Sequence, residues 1–213
     1  TDIGHEHIDR ALPFIKVGMP VFIDKPLTVN CDDLRRFATW FREGRPILST
    51  SCMRYAEEFR TLSGELAEVG EARIITVSMP KTWERYGIHA IEAVYGLLEP
   101  GGWESVQNTG DNGSNLVHAR HRSGVDVMLL MASDLAECFG DVKVMGSRAT
   151  RQARFADTFH AFKQQLVAFV DYLKTGETPV DYQQTLEQMK LVIAGIRSRD
   201  EAGRRVKLSE ITL

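Results

Sequence analysis

Gly18-Met19-Pro20-Val21-Phe22-Ile23-Asp24-Lys25-Pro26 packs a helix stop, a buried strand and a charged strand end into one short stretch. Upstream of it, Ile8, Ala11, Leu12 and Ile15 recur at helical spacing between His5 and Val17, and Gly18 stands where a C-terminal stop is expected. Pro20-Val21-Phe22-Ile23 is the continuous apolar run that buried parallel strands show. Asp24-Lys25-Pro26 then puts a charged pair where the strand gives way to a loop. Downstream, Asn30 is placed to cap a helix with Asp33 three residues on, running through Leu34, Phe37, Ala38 and Phe41 to Gly44. Arg45-Pro46-Ile47-Leu48-Ser49-Thr50 predicts a second short strand. Helix, strand, helix, strand with tight connections is the grammar of a parallel, helix-covered sheet.

The pattern changes at about residue 52, the best candidate for a domain boundary. A helix is expected from about Arg54 to Val69, a β-branched strand over Ala72–Ser78, and a helix from Gly87 to Leu98 stopped by Glu99-Pro100-Gly101-Gly102. Consecutive strands follow between Trp103 and Met145: Leu116–His121 and Val125–Ala132 flank the hairpin signal Ser123-Gly124, and Val142–Met145 is a later strand. Helices over about Asp157–Thr175 and Tyr182–Ala202 close the chain, separated by Thr175-Gly176-Glu177-Thr178-Pro179. Strands in series with helices around them predict an α+β domain on a largely antiparallel sheet.

Composition narrows the function classes. The chain has 213 residues, 43% of them hydrophobic, and a mean hydropathy of −0.21, which excludes wholesale disorder. Twenty-six basic against twenty-nine acidic side chains leave a net charge of −3, so no general basic field exists for nucleic acid or anionic lipid. No apolar run approaches the ~20 residues that a membrane-spanning helix needs. Cys31, Cys52 and Cys138 are odd in number and widely spaced, which fits reduced thiols and a cytoplasmic setting rather than a disulfide framework or a metal knuckle. The start, Thr1-Asp2-Ile3-Gly4-His5, lacks the basic and apolar regions of a secretion signal.

Two constellations carry chemistry. Asp24-Lys25-Pro26 lies at the carboxyl end of a strand, where open α/β sheets gather ligands, and an ammonium there can hold an anion or a developing alkoxide. The proline fixes the backbone and permits a cis bond that aims the lysine. A solvated Asp-Lys turn is the plainer alternative. In Tyr86-Gly87-Ile88-His89-Ala90-Ile91-Glu92, His89 is expected in the first turn of a helix, where the dipole disfavours imidazolium and leaves the ring ready to accept a proton. The alternative is a core histidine bonded to a carbonyl, with Glu92 covering the helix surface. Other clusters read as structural. His5-x-His7 lacks a third metal ligand and suggests a solvated helix start. His118 and His121 fall on opposite faces of a strand. Arg148, Arg151 and Arg154 suggest a solvated loop, and Phe155, Phe159, Phe162, Leu166 and Phe169 an apolar face that packs. No metal site is expected.

Taken together, the segments resemble the glucose–fructose oxidoreductase / inositol dehydrogenase / MocA family of NAD(P)-dependent sugar dehydrogenases. The family's "H…AL..G..V..EKP" stretch stands as His5…Ala11-Leu12…Gly18-Met19-Pro20-Val21-Phe22-Ile23-Asp24-Lys25-Pro26. Its closing helix and tail stand as Phe162…Phe169…Leu173…Gly176…Pro179-Val180 and Gly203-Arg204-Arg205-Val206-Lys207-Leu208, in order and over essentially the whole chain. The resemblance implies a Rossmann remnant (residues 1–52) of a nucleotide-binding domain, followed by an α+β domain (53–213) for substrate binding and homo-oligomer formation through its sheet. It implies NAD or NADP as cofactor, with Asp24, Lys25 and Pro26 against it, and a sugar or cyclic polyol as substrate. Lys25 and His89 become the catalytic pair, and Tyr86, Arg54 and Arg85 bind substrate.

Three departures qualify this. Asp24 replaces the family's Glu, and Arg85 stands where an aspartate is expected four residues before the histidine. The G-x-G-x-x-G fingerprint, which in the family comes before the segment that Thr1 begins, occurs nowhere in the chain. The expectation is therefore a chain matching the C-terminal two-thirds of such an enzyme, truncated or naturally shortened. The competing expectation is a non-catalytic oligomerisation or sugar-binding module that no longer binds dinucleotide.

Overall fold

The computed structural model describes residues 3–111 and 113–213, so Thr1, Asp2 and Asn112 lie outside the described residues. Helix α1 (His7–Lys16) leads into strand β1 (Val21–Phe22), helix α2 (Cys31–Arg42) into strand β2 (Ile47–Leu48). β1 and β2 pair in parallel, Val21 opposite Ile47 and Phe22 opposite Leu48, with Ile23 N–H extending the ladder to the Leu48 carbonyl at 2.9 Å. Asn30 caps α2 as its sequence demands: its side-chain oxygen accepts the Asp33 N–H at 2.9 Å.

The remaining chain builds a second, larger sheet. In order come a 3-10 turn (Cys52–Tyr55), α3 (Glu57–Gly64), α4 (Leu66–Val69), β3 (Ala72–Pro80), α5 (Trp83–Tyr95), β4 (Trp103–Asn108), β5 (Ser114–His121) and β6 (Asp126–Ala132). Then follow β7 (Asp141–Gly146), β8 (Thr150–Arg154), α6 (Thr158–Thr175), α7 (Tyr182–Asp200) and β9 (Val206–Lys207). Among the described residues the sheet runs β8-β7-β3-β6-β5-β4-β9; only β3 and β6 pair in parallel, so it is largely antiparallel and the fold class is α+β. Alternation sorts its faces: Ile75, Val77 and Met79 of β3 point into the core beneath α5, whereas Ile74 and Leu116 stay exposed on the other face.

Several expectations are corrected. The helix expected over Arg54–Val69 is broken, because Ala56 is extended between the 3-10 turn and α3 and Glu65 separates α3 from α4. Helix α5 begins at Trp83 rather than Gly87. Gly87 lies inside the helix because the Trp83 ring fills its Cβ position, 2.6 Å from Cε3. Arg151 and Arg154 stand on β8, not in a solvated loop. This polar edge strand has no apolar face to announce it, and its charges pair with Glu68 and Asp141, as protected edges require. The apolar face of α6 does not pack throughout: Phe155 is buried and Phe169 meets Phe22 at 5.5 Å, but Phe159, Phe162 and Leu166 are exposed, since only one side of α6 docks on the 3-10 turn. His118 and His121 do fall on opposite faces of β5, bonded to Asp126 and to the Glu99 carbonyl.

One indole locks α5 to α7. Trp83 is buried, donates from Nε1 to the Val192 carbonyl at 2.8 Å, and lies against the backbone of Gly195. A Cβ at Gly195 would stand 2.4 Å from that Nε1. Gly195→Ala gains helix propensity of about 1 kcal/mol, but overpacking a core costs about 1–3 kcal/mol. We expect a net loss of stability in urea denaturation; a variant as stable as the wild type would show that Trp83 does not fix this contact.

Candidate active site

The carboxyl ends of β1 and β2 lie side by side, and the chain leaving each supplies the site. After β1 come Asp24, which is exposed, and Lys25, only 8% exposed and followed by a cis bond to Pro26. The buried imidazole of His7 bonds through Nδ1 to the Pro26 carbonyl at 2.8 Å and so ties this turn to α1. His7 is therefore a buried brace, not part of a solvated helix start. After β2 come Ser49, Thr50 and Ser51, all buried, with Gln165 of α6 donating to the Thr50 carbonyl at 2.6 Å.

Helix α5 brings the other half. His89 is buried in the second turn, so the dipole of the helix start, which fades within one turn, is not what governs its charge. Burial holds its pKa well below the ordinary 6.5, and the nearby ammoniums of Lys25 and Lys81 press in the same direction. The ring is neutral at neutral pH, as expected, for a different reason. Its Nδ1 lies 2.6 Å from Ser51 Oγ, which also accepts the Met53 N–H at 3.0 Å. Tyr86 stands edge-on to His89 with centroids 4.8 Å apart, and Phe139 completes the wall at 5.8 Å from His89 and 5.9 Å from Tyr86.

Cations converge on Tyr86. The Lys25 Nζ is 4.8 Å from the centre of its ring and the Lys81 Nζ is 4.4 Å from it, the latter also donating to the phenol oxygen at 2.8 Å. Neither ammonium has a carboxylate partner among the described residues. Lys81 itself has a left-handed backbone (φ 68°), a conformation that costs a non-glycine residue roughly 1–3 kcal/mol. Cys52, which opens the 3-10 turn after Ser51, is buried, and burial pushes its thiol up to about 11, which favours the protonated form at neutral pH.

Glu92 does not cover the helix surface; it is wholly buried. Arg54 Nε approaches its carboxylate at 2.6 Å, and the Ser51 N–H donates to it at 3.3 Å. Burial pushes the Glu92 carboxyl up, and Arg54 pulls it back only in part. Arg54 further donates to Gln184 at 3.3 Å and sits 5.2 Å from the Tyr95 ring centre. The structure thus gathers Lys25, Tyr86 and His89, while Arg54 is engaged by Glu92 and Arg85 is exposed on α5. Reading the sequence missed Ser51, Lys81 and Phe139. Ser51 and Lys81 each directly follow a strand end or precede a helix, a positional signal, but Phe139 carried none. No cluster of three or more metal-ligating side chains occurs among the described residues, and no helix among them is long and apolar enough to cross a membrane.

No protein-family model and no curated protein matches the chain. Solved structures do. The chain is similar to GenD2 from gentamicin A biosynthesis, solved with NAD, at 16% identity over 96% of this chain and 76% of that one, with a TM-score of 0.82. It is similar to scyllo-inositol dehydrogenase from Lactobacillus casei at 11% identity, 97% and 77% coverage and a TM-score of 0.80. Myo-inositol dehydrogenase from Corynebacterium glutamicum matches at 14% identity, 95% and 77% coverage and a TM-score of 0.76. The fold is therefore that of inositol dehydrogenases and related oxidoreductases.

The neutral histidine has a consequence for stability. Below pH of about 6.5 the unfolded chain protonates His89 while the folded chain does not, so stability falls as pH drops, by up to about 1.4 kcal/mol per pH unit. Glu92, raised in the fold, contributes the opposite slope above its unfolded value, so the comparison is between variants. Urea denaturation from pH 7 to pH 5 is expected to show a shallower loss for His89→Gln than for the wild type. Equal slopes would mean that His89 titrates normally.

Proposed function

We propose that this chain serves an NAD(P)-dependent dehydrogenation of a sugar or cyclic polyol hydroxyl, with Lys25 and His89 at the reacting centre. The observation that carries the reading is the meeting, beside one tyrosine, of a nearly buried ammonium without a counter-ion among the described residues and a histidine held neutral. The first comes from the end of a parallel strand, the second from the helix of the larger sheet. Residues 1–52 would face the nicotinamide, and 53–213 the substrate.

The chemistry follows from the side chains. A substrate hydroxyl between the two groups accepts a hydrogen bond from the Lys25 ammonium, which stabilises negative charge as it develops on oxygen. His89 Nε2, which makes no hydrogen bond among the described residues, accepts the hydroxyl proton. For that, Nδ1 keeps its hydrogen and donates it to Ser51 Oγ; a hydroxyl oxygen has two acceptor positions, so Ser51 holds this bond together with the one from Met53. The C–H bond breaks with its electron pair and the carbonyl forms. A nicotinamide ring, when bound, supplies the hydride acceptor. Asp24, Lys25 and Pro26 would hold that end. The residues fit the reacting end of such a cofactor and not its pyrophosphate, because no G-x-G-x-x-G turn is present.

The alternative reading is a polyol-binding or oligomerisation module without dinucleotide. Calorimetric titration with NADH and NADPH, followed by nicotinamide absorbance over a polyol panel, separates the two. The oxidoreductase reading expects micromolar nucleotide binding and turnover that falls ~10²–10⁴-fold in Lys25→Ala and His89→Ala. Turnover within a fewfold of wild type in both variants would remove them from the reacting centre. Saturable polyol binding indifferent to nucleotide would establish the module instead.

We also propose that copies of the chain pair through the uncovered sheet face bearing Ile74 and Leu116, which are 40% and 44% exposed. Sedimentation velocity is expected to show a dimer or larger species that Leu116→Glu dissociates. A monomeric wild type would refute it.

A further inference from the structure

The two lysines at Tyr86 ask different things of a ligand. Oxidising a neutral polyol needs one ammonium, and Lys25 is placed for that task. Lys81 has none in such a reaction. Its position is nonetheless built: it is the single residue joining the end of β3 to Thr82, the residue that opens α5, and it adopts a left-handed backbone that lysine rarely takes. Its ammonium is then turned back onto the phenol of Tyr86, both hydrogen-bonded to the oxygen and over the ring.

The carboxylates nearby do not answer this charge. Glu92 is buried and engaged by Arg54, and Glu84 of the first turn of α5 is taken by Arg199 of α7 at 2.5 Å. Asp24 is exposed and makes no ion pair among the described residues. The site therefore holds two ammoniums around one ring and a neutral histidine. Two ammoniums against one ring leave positive charge unanswered, and an anion bound beside them offsets it.

Resting on the oxidoreductase reading above, we propose that the substrate is an acidic polyol, one bearing a carboxylate or phosphate, and that Lys81 holds that anion while Lys25 and His89 act on a hydroxyl. Lys81 is then the residue that selects acidic over neutral polyols, through a charge-assisted hydrogen bond of its ammonium.

The test uses the chain with its histidine side chains labelled with nitrogen-15, titrated with and without NADH. The probes are D-gluconate, D-glucose 6-phosphate and myo-inositol, and the readout is movement of the His89 ring signals and the Kd. Gluconate or glucose 6-phosphate is expected to bind at least about tenfold more tightly than myo-inositol, as one hydrogen bond to a charged group allows. Which of the two wins identifies the anion as carboxylate or phosphate. Lys81→Met, which removes the charge from an exposed side chain, is expected to abolish the preference, and Lys81→Arg to keep it. If myo-inositol moves His89 and binds as tightly as both acids, the acid preference is refuted while the polyol site stands. The preference is refuted equally if Lys81→Met weakens all three probes alike, or weakens NADH and no probe. If no probe moves His89 under either condition, the polyol site itself is refuted and the acid preference with it.

Discussion

Ser51 is gripped at two atoms by one face of α5: its hydroxyl by His89 and its backbone N–H by Glu92, one helical turn further on. Everything in the site depends on that clasp. Ser51 leaves the end of β2, and β2 is paired with β1, whose own end carries Lys25. The small parallel pair is thereby registered against the helix that covers the larger sheet. Lys25 and His89 are sixty-four positions apart in sequence, one following a strand of the small sheet and the other on the helix over the large one, yet one serine transmits the register between them. His7 adds a second tie from the other side, bonding the carbonyl of the residue after Lys25.

The clasp needs a buried carboxylate, and a buried carboxylate needs a cation. Glu92 is fully enclosed and Arg54 is its partner. Such a pair is weak grounds for stability, because removing two charges from water costs about as much as their attraction returns. Its value here is positional: Arg54 lies in the 3-10 turn directly after Ser51, so the pair fastens that turn to α5. The same engagement takes Arg54 out of reach as a free anion-binding group. Charge at the proposed ligand end of the site is left to Lys25 and Lys81.

Much of this was legible in the residues. The periodicity of residues 8–15 and 34–41 and the Asn30 cap located the parallel unit, and the Ser123-Gly124 signal located the β5–β6 hairpin, because apolar spacing and turn chemistry are local properties. Lys25 stood out through its place at a strand end. What local patterns do not encode is long-range engagement. The spacing of Glu92 on α5 gave no hint that Arg54 would bury it, nor could Ser51 announce a bond to a histidine thirty-eight residues away. The polar strand β8 escaped for a related reason: its residues are chosen to guard an edge, not to fill a core. Gly87 misled because glycine inside a helix usually weakens it, whereas here it makes room for the Trp83 ring.

In the proposed reaction, the partner of His89 decides what kind of base it is. An aspartate beside an imidazole favours imidazolium and raises the ring's pKa. The resemblance places such an aspartate four residues before the histidine, where this chain has the exposed Arg85. A serine hydroxyl carries no charge and imposes no such bias. Burial and two ammoniums then act unopposed and keep the ring unprotonated. A base held neutral in this way is ready to accept a proton over a wide range of pH, but the imidazolium it becomes is stabilised only by dipoles and by what is bound beside it. An anionic group on the substrate would offset that charge, so the acidity of the ligand and the weakness of the histidine's own partner are two sides of one electrostatic arrangement.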